Sequence, residues 1–376
     1  MNAQIADTLE SILVPGRRFR LSPLIEATQL RVLFGESPDD RRRAESIRAT
    51  LASPVAERKL AELAKIYDDF SSRKKPFSEE STYRGTFLET YLGYYTTVHA
   101  PKLQLLLTEL IRLGKLPTQL RVLDIGVGPG TTALAFFDFI LLWGAISRFW
   151  GAPVEPPQIA FVGIDRSAEA LRFAGRVTTV LADEIERWQR ERTSYNDREP
   201  SVRAKAWTEA VIQAARGARW ERVDLTDPAQ WSRACDLASQ STIIVASYVL
   251  RELRDAGVER VLDHVLSAAP PGAVALVLES GKREDAGGLA RWRRSFLQSA
   301  RDWLNLGPCG QEFGRELPAT CDRCWAFRRE ALLQPQLWQA IVERTAAYRQ
   351  ACQEKRDNRY DEFENELLSW SYVLLE

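Results

Sequence analysis

Asp124, Gly126, Gly128 and Gly130 fall at the spacing D-x-G-x-G-x-G in LRVLDIGVGPGTT, behind an apolar run and ahead of a long apolar segment. Glycines there let the backbone turn at positive φ and let a ligand come into contact with the main chain. A second apolar run closes on Asp165 in GIDRS, and a weaker third leads to Asp224 in RVDLTD. A carboxylate at a strand tip accepts the two hydroxyl hydrogen bonds of a ribose, and one a strand further on can meet an exocyclic adenine amine. The turn reads GPGTT, without the lysine of a phosphate loop, and a pyrophosphate-binding turn places no acid where Asp124 stands. An acid there suits a ligand with a cationic amino-acid end, and the three acids are expected to converge on one crevice. Asp165, ahead of Ser167-Ala168-Glu169, and Asp224, ahead of Asp227-Pro228, fit helix N-caps as well.

Other residues suggest further chemistry. Cys321 and Cys324 are separated by two residues, a gap that lets two thiolates reach one soft metal, with Cys309 and Cys352 as further candidates. They equally read as ordinary residues flanking a strand. Cys235, in WSRACDLAS, reads as packing on a helix. Arg291, Arg293, Arg294 and Arg301 make a basic helix with Arg323, Arg328 and Arg329 nearby, either a phosphate-binding surface or a solvated face balanced by Glu284, Asp285 and Glu330. Tyr248 is placed to line a substrate entrance with Tyr91, Tyr94 and Tyr95, although such rings also fill cores. His99, beside Pro101, reads as a base or as a structural histidine at a helix break, and no general base is assigned.

These residues need a frame. From residue 1 to 117 the apolar residues recur every three or four positions, which predicts a helical N-terminal cap with a tyrosine-rich helix from Phe87 and a second helix after Pro101. The polar block near Ser71 reads as a connector. Residues 118–376 alternate apolar runs with helical segments, the pattern of a mostly parallel sheet wrapped by helices. The runs are RVLDIG, IAFVGID, STIIVASYV and AVALVLES, with RWERVDL a weaker fifth. The stretch Glu191–Ser201 reads as a loop, residues 305–330 as a cysteine-bearing insertion, and WSYVLLE as a last, antiparallel strand.

The 376 residues carry 51 Lys+Arg against 51 Asp+Glu, so nucleic-acid binding would have to rest on local patches. The amino terminus lacks the features of a secretory signal, which predicts a cytoplasmic location. The apolar stretch Thr131–Trp150 contains Asp138 and follows the glycine turn directly, which favours a buried helix over a membrane span.

The acid and glycine run of Asp124–Gly130 resembles the first motif of the class I S-adenosylmethionine-dependent methyltransferases. The resemblance implies an α/β, Rossmann-like sheet with an antiparallel C-terminal strand. It also implies that Asp124 and the Gly126, Gly128 and Gly130 loop hold the methionine portion, Asp165 the ribose and Asp224 the adenine, with Ser247 close by. A narrower likeness, over roughly residues 84–376, is to the methyltransferase-like proteins associated with the mitochondrial small ribosomal subunit and their bacterial relatives. It is carried by IIVASYVLREL from Ile243, LVLESGKREDAGGLARWRRSFL from Leu276, then Pro308, Cys309, Cys324, Trp325 and Arg328, and the terminal WSYVLLE. Where that family has Pro-His after its first cysteine, Gly310-Gln311-Glu312 follow Cys309, and the next cysteine is Cys321.

This likeness implies an iron–sulfur cluster on Cys309, Cys321, Cys324 and Cys352, and zinc would serve equally with four thiolates. It implies methylation of RNA or of a ribosomal component in small-subunit assembly, with ribosomal RNA or that subunit as partner. Substrate would then meet Tyr91, Tyr248, Arg291 and Arg294. The alternatives are an assembly factor that binds S-adenosylmethionine without turnover and a small-molecule methyltransferase. No Asn-Pro-Pro-Tyr follows Ser247, and no cysteine ends that strand or the next, so the devices for exocyclic base amines and for pyrimidine ring carbons are absent.

Overall fold

The computed structural model describes residues 1–39, 42–71, 85–195, 202–300, 302–307, 327–333, 335–346 and 368–376. Nine strands form one sheet among them: β1 (Arg18–Arg20), β2 (Gln119–Ile125), β3 (Gln158–Asp165), β4 (Arg219–Arg222), β5 (Ile243–Ser247), β6 (Val274–Ser280), β7 (Asn305–Gly307), β8 (Phe327–Leu333) and β9 (Leu368–Leu375). The order is β1-β8-β9-β6-β5-β2-β3-β4, with β7 paired to β9. Strands β4, β3, β2, β5 and β6 run parallel, while β9 is antiparallel to β6, β7 and β8. The expected α/β fold, mostly parallel with an antiparallel C-terminal strand, is therefore present. The connections reverse direction between β2 and β5, which opens a crevice at the carboxyl ends of the strands.

The period of two along each strand divides the core between the two faces of the sheet. Leu120, Val122, Phe161, Val245 and Leu276 pack with the N-terminal helices and with the helices Thr96–Leu113, Thr131–Phe149, Ala168–Tyr195 and Val202–Arg216. Leu123, Ile125, Val162, Ile244 and Val277 pack on the other face with the helices Trp231–Ala238, Leu250–Asp255, Arg260–Ser267 and Arg283–Ser299. Both faces are covered, which explains the unbroken apolar runs of β5 and β6.

The N-terminal third is helical as expected, and it also supplies β1 at the sheet edge. Hydrogen bonds tie it to the rest: Gln104 Nε2 donates to Asp138 at 2.7 Å, and Arg31 Nη1 donates to Glu184 at 2.9 Å. The apolar stretch after the glycine turn is the helix Thr131–Phe149, with Leu134, Phe136, Phe137, Phe139 and Ile140 all buried.

Two expectations are corrected. Pro101 does not divide two helices but lies inside Thr96–Leu113, where the tertiary burial of Val98 and of residues 100–108 outweighs one missing N–H. The irregularity comes earlier, as a π-helical turn at Tyr91–Tyr95. The helix that begins at Ala168 continues to Tyr195, into the stretch expected to be loop, with the Arg187–Glu191 pair one turn apart supporting its entry. The polar connector at 72–84 and the loop residues 196–201 lie outside the described residues.

Candidate active site

The glycine turn leaves β2 with Gly126 at φ 70°, Gly128 at 51° and Gly130 at 89°, the left-handed region that the spacing requires. A Cβ on Gly126 would lie 2.9 Å from Val249 Cγ2, and one on Gly130 would lie 3.3 Å from the Ala174 backbone. Gly128 has open space where its side chain would be. Between these glycines Val127 packs with Leu171 and Ala174 against the Trp220 indole. Trp220 fits because Gly163 of β3 has no side chain; a Cβ there would come within 2.7 Å of the ring.

A cleft of about 210 Å³ opens above this turn, and Gly126, Gly128, Asp165, Asp224, Ser247 and Tyr248 all line it. Asp165 ends β3 with both oxygens engaged: Oδ1 accepts from Ser167 N at 2.8 Å and Oδ2 from Gly128 N at 3.0 Å. It thereby ties the second strand end to the glycine turn. The neighbouring helix takes its cap bond from Ser167, whose Oγ accepts from Ala170 N at 3.2 Å. Asp224 Oδ1 accepts from Thr226 N and Oγ1, and Asp227 caps the following turn through Ala229 N. Neither acid is therefore the N-cap that its sequence neighbours also allowed.

Asp124 is placed differently from the expectation. It shares the face of Leu120 and Val122, beneath the turn, and is fully buried without lining the cleft. Neither of its oxygens has a hydrogen-bond partner among the described residues. Burial pushes its carboxyl well above the usual range; the Thr132 hydroxyl, near it but outside hydrogen-bond geometry, opposes the rise and the Asp165 charge adds to it. The cause of the displacement is the register, since Asp124 is the sixth of seven β2 residues and pairs on both sides, with Gly163 and Val245.

The opposite wall is aromatic. Tyr248 follows β5 with φ 60°, a strained conformation for a residue with a bulky side chain. Its ring stacks on His99 at 3.8 Å and 10°, and its hydroxyl accepts from Lys102 Nζ at 3.0 Å. Tyr91 Oη lies 3.4 Å from His99 Nδ1, and both residues line the cleft. Burial pushes His99 well below the usual imidazole range, with the Lys102 charge adding to the effect, so the ring is neutral. Burial likewise raises the Tyr91 and Tyr248 hydroxyls, keeping both protonated. Tyr94 packs inward on Tyr67 and Trp338.

Sequence reasoning missed Lys102 and Glu279. Lys102 is buried, a single cation inside the apolar run PKLQLLL; Glu279 is buried at the end of β6 and accepts from Arg251 N at 3.2 Å. Burial pushes Glu279 up to about 8, Asp285 adding to the rise and the Arg251 bond opposing it. The signal for Glu279 was the one that identified Asp165, a lone acid closing an apolar strand.

Arg291 is exposed and Arg294 half-buried on the helix Arg283–Ser299, and neither lines the cleft. Arg293 is only 3 % exposed, which removes it from any phosphate-binding surface. Cys309, Cys321, Cys324 and Cys352 lie outside the described residues, as do Arg301 and Arg323. Cys235 is half-buried against the second core, as its helical setting predicts.

No family model matches this sequence, and no curated protein matches it. Among solved structures, a SAM-dependent methyltransferase from Methanosarcina mazei is similar at 14% identity and a TM-score of 0.29, over 70% of this chain and 95% of its own. Coclaurine N-methyltransferase bound to N-methylheliamine and SAH is similar at 10% identity and a TM-score of 0.30, over 100% of this chain and 99% of its own. Likenesses this remote carry no residue correspondence.

Proposed function

We propose that this chain is an S-adenosylmethionine-dependent methyltransferase. The observation that carries the reading is the meeting of the left-handed glycine turn, Asp165 and Asp224 in one cleft at the reversal point of the sheet. The residues suit this cofactor in three respects. Gly128 leaves main chain open to a ligand, Asp165 and Asp224 present carboxylates at adjacent strand ends, and Asp124 holds a buried carboxyl without a hydrogen-bond partner among the described residues, one that a nearby cation would favour in its ionised form. Asp165 would take the ribose, Asp224 the adenine, and the turn with Ser247 the amino-acid end. Bound there, S-adenosylmethionine would supply a methyl group on a sulfonium, a leaving group that needs alignment more than covalent help.

The chain's own residues supply orientation. Tyr91, Tyr248 and His99 form an aromatic wall against which a planar acceptor can stack. His99 is held neutral in this wall between Tyr248 and Tyr91, and because burial and the Lys102 charge disfavour its protonated form, no general base is assigned to it. The acceptor class rests on the sequence resemblance, which points to RNA or a ribosomal component of the small subunit.

The test has two parts. Calorimetry with S-adenosylhomocysteine is expected to show one site, weakened in Asp165→Ala, and absence of binding by the wild type rejects the reading. Labelled methyl transfer is then measured to small-subunit RNA, intact subunits and a panel of small amines. Transfer to amines alone would replace the RNA acceptor with a small molecule, and binding without transfer to any of these would favour the assembly-factor alternative.

A further inference from the structure

A second cavity of about 470 Å³, more than twice the volume of the cleft, lies between the N-terminal segment and the helices Thr131–Phe149, Ala168–Tyr195 and Val202–Arg216. Its size falls in the range of about 300–1,000 Å³ usual for small-molecule sites. Much of its wall is apolar, formed by Leu21, Leu24, Leu141, Leu142, Trp188 and Trp207. The Trp207 wall is firmly seated: its ring meets Trp143 edge-on at 5.3 Å and lies over Gly144, where a Cβ would come within 2.4 Å. The cavity is thus a feature of the packed core, closed on one side by a side chain that has little room to move.

Its charges are unequal. The carboxylate in the wall, Asp138, is already committed, accepting from Ser22 Oγ at 2.6 Å and Gln104 Nε2 at 2.7 Å. Arg148 is not. Its Nη1 atom is buried and has no hydrogen-bond partner among the described residues. Burial and the neighbouring charge of Arg203 push the guanidinium below its usual range, and Arg203 itself is paired with Glu155. A buried N–H donor on a cation with no acceptor is costly, and an anion supplied from outside would relieve that cost. Arg20 adds a second positive charge to the wall.

We propose that this cavity binds an acyl-chain carboxylate, its head on Arg148 and its tail among the leucines and the two tryptophans. A carboxylate matches the planar fork of a guanidinium, and an apolar body matches the remaining wall. The site is separate from the cleft, and the inference holds whether or not the cleft binds S-adenosylmethionine.

The test is calorimetric titration of the full chain with dodecanoate below its micellar range. Dodecan-1-ol and acetate serve as controls, and thermal melts verify that each variant is folded. One saturable dodecanoate site is expected, with both controls at least tenfold weaker. Arg148→Gln is expected to weaken dodecanoate at least tenfold. Ala145→Trp, on an exposed residue of the cavity wall, should obstruct the site to a similar degree and keeps the question open to test if Arg148→Gln fails to fold. Absence of saturable binding by the wild type, or wild-type affinity in either folded variant, overturns the proposal.

Discussion

The cleft and the second cavity are built by opposite routes. The cleft takes its residues from short windows at successive strand ends, and backbone groups hold its carboxylates: Gly128 N and Ser167 N on Asp165, Thr226 N on Asp224. The cavity draws on side chains from residues 12–24, 138–148, 185–189 and 204–208, and its guanidinium is left with an unfilled donor. A site held by main chain is positioned by the fold itself, whereas one held by side chains depends on packing. The two should respond separately to mutation.

The largest expected effect is on the cleft. Gly126→Val forces a branched side chain into a left-handed backbone and against Val249, and should abolish S-adenosylhomocysteine binding, by on the order of a hundredfold or more, with dodecanoate affinity unchanged. Parallel calorimetry with both ligands checks this, and equal loss of both would show that the two regions are not independent. Next is pH. With Glu279 pushed up to about 8 from 4.5, the folded chain holds a proton that the unfolded chain has released, so stability falls as pH rises across that window. Asp138, pushed up to about 6 from 3.8, completes its own fall sooner. Glu279→Gln should therefore flatten the loss between pH 6 and 8, a change on the order of a few kcal/mol, and Asp138→Asn should leave that interval unaltered. Denaturant titrations at the two pH values decide it.

Asp165→Ala removes the acceptor that ties β3 to the glycine turn and should cost roughly 1–3 kcal/mol of S-adenosylhomocysteine affinity, read by calorimetry. Gly144→Ala should lower global stability by about 1–3 kcal/mol through its clash with Trp207, while cleft affinity holds, as melts and titrations together would show. The smallest effect is on protons. A cationic ligand above Asp124 should lower its raised carboxyl and release part of a proton, measurable as a buffer-dependent binding enthalpy and absent in Asp124→Asn.

The sheet and the cleft were legible in the sequence because they follow local rules. Apolar runs of β2, β3, β5 and β6 end in acids or small residues, and glycines mark the turn between them. What escaped detection depends on orientation. Asp124 has the right residue type at the right spacing, yet the strand's two-residue alternation and its pairing on both sides turn it beneath the loop. Pro101 looks like a boundary by residue type, yet the burial that holds its helix in place comes from partners distant in the chain. Lys102 and the whole second cavity join residues far apart in the chain, and no window of sequence holds them together.

The contact of Val127 with Trp220 gives the glycine turn an anchor of its own. Three glycines in five residues would ordinarily make a floppy segment whose freedom a ligand must quench on arrival. Here the indole beneath and the Asp165 bond above restrict that freedom during folding. Association at this turn should accordingly proceed at encounter-limited speed, without a slow ordering phase, and Trp220→Ala should bring that phase into view.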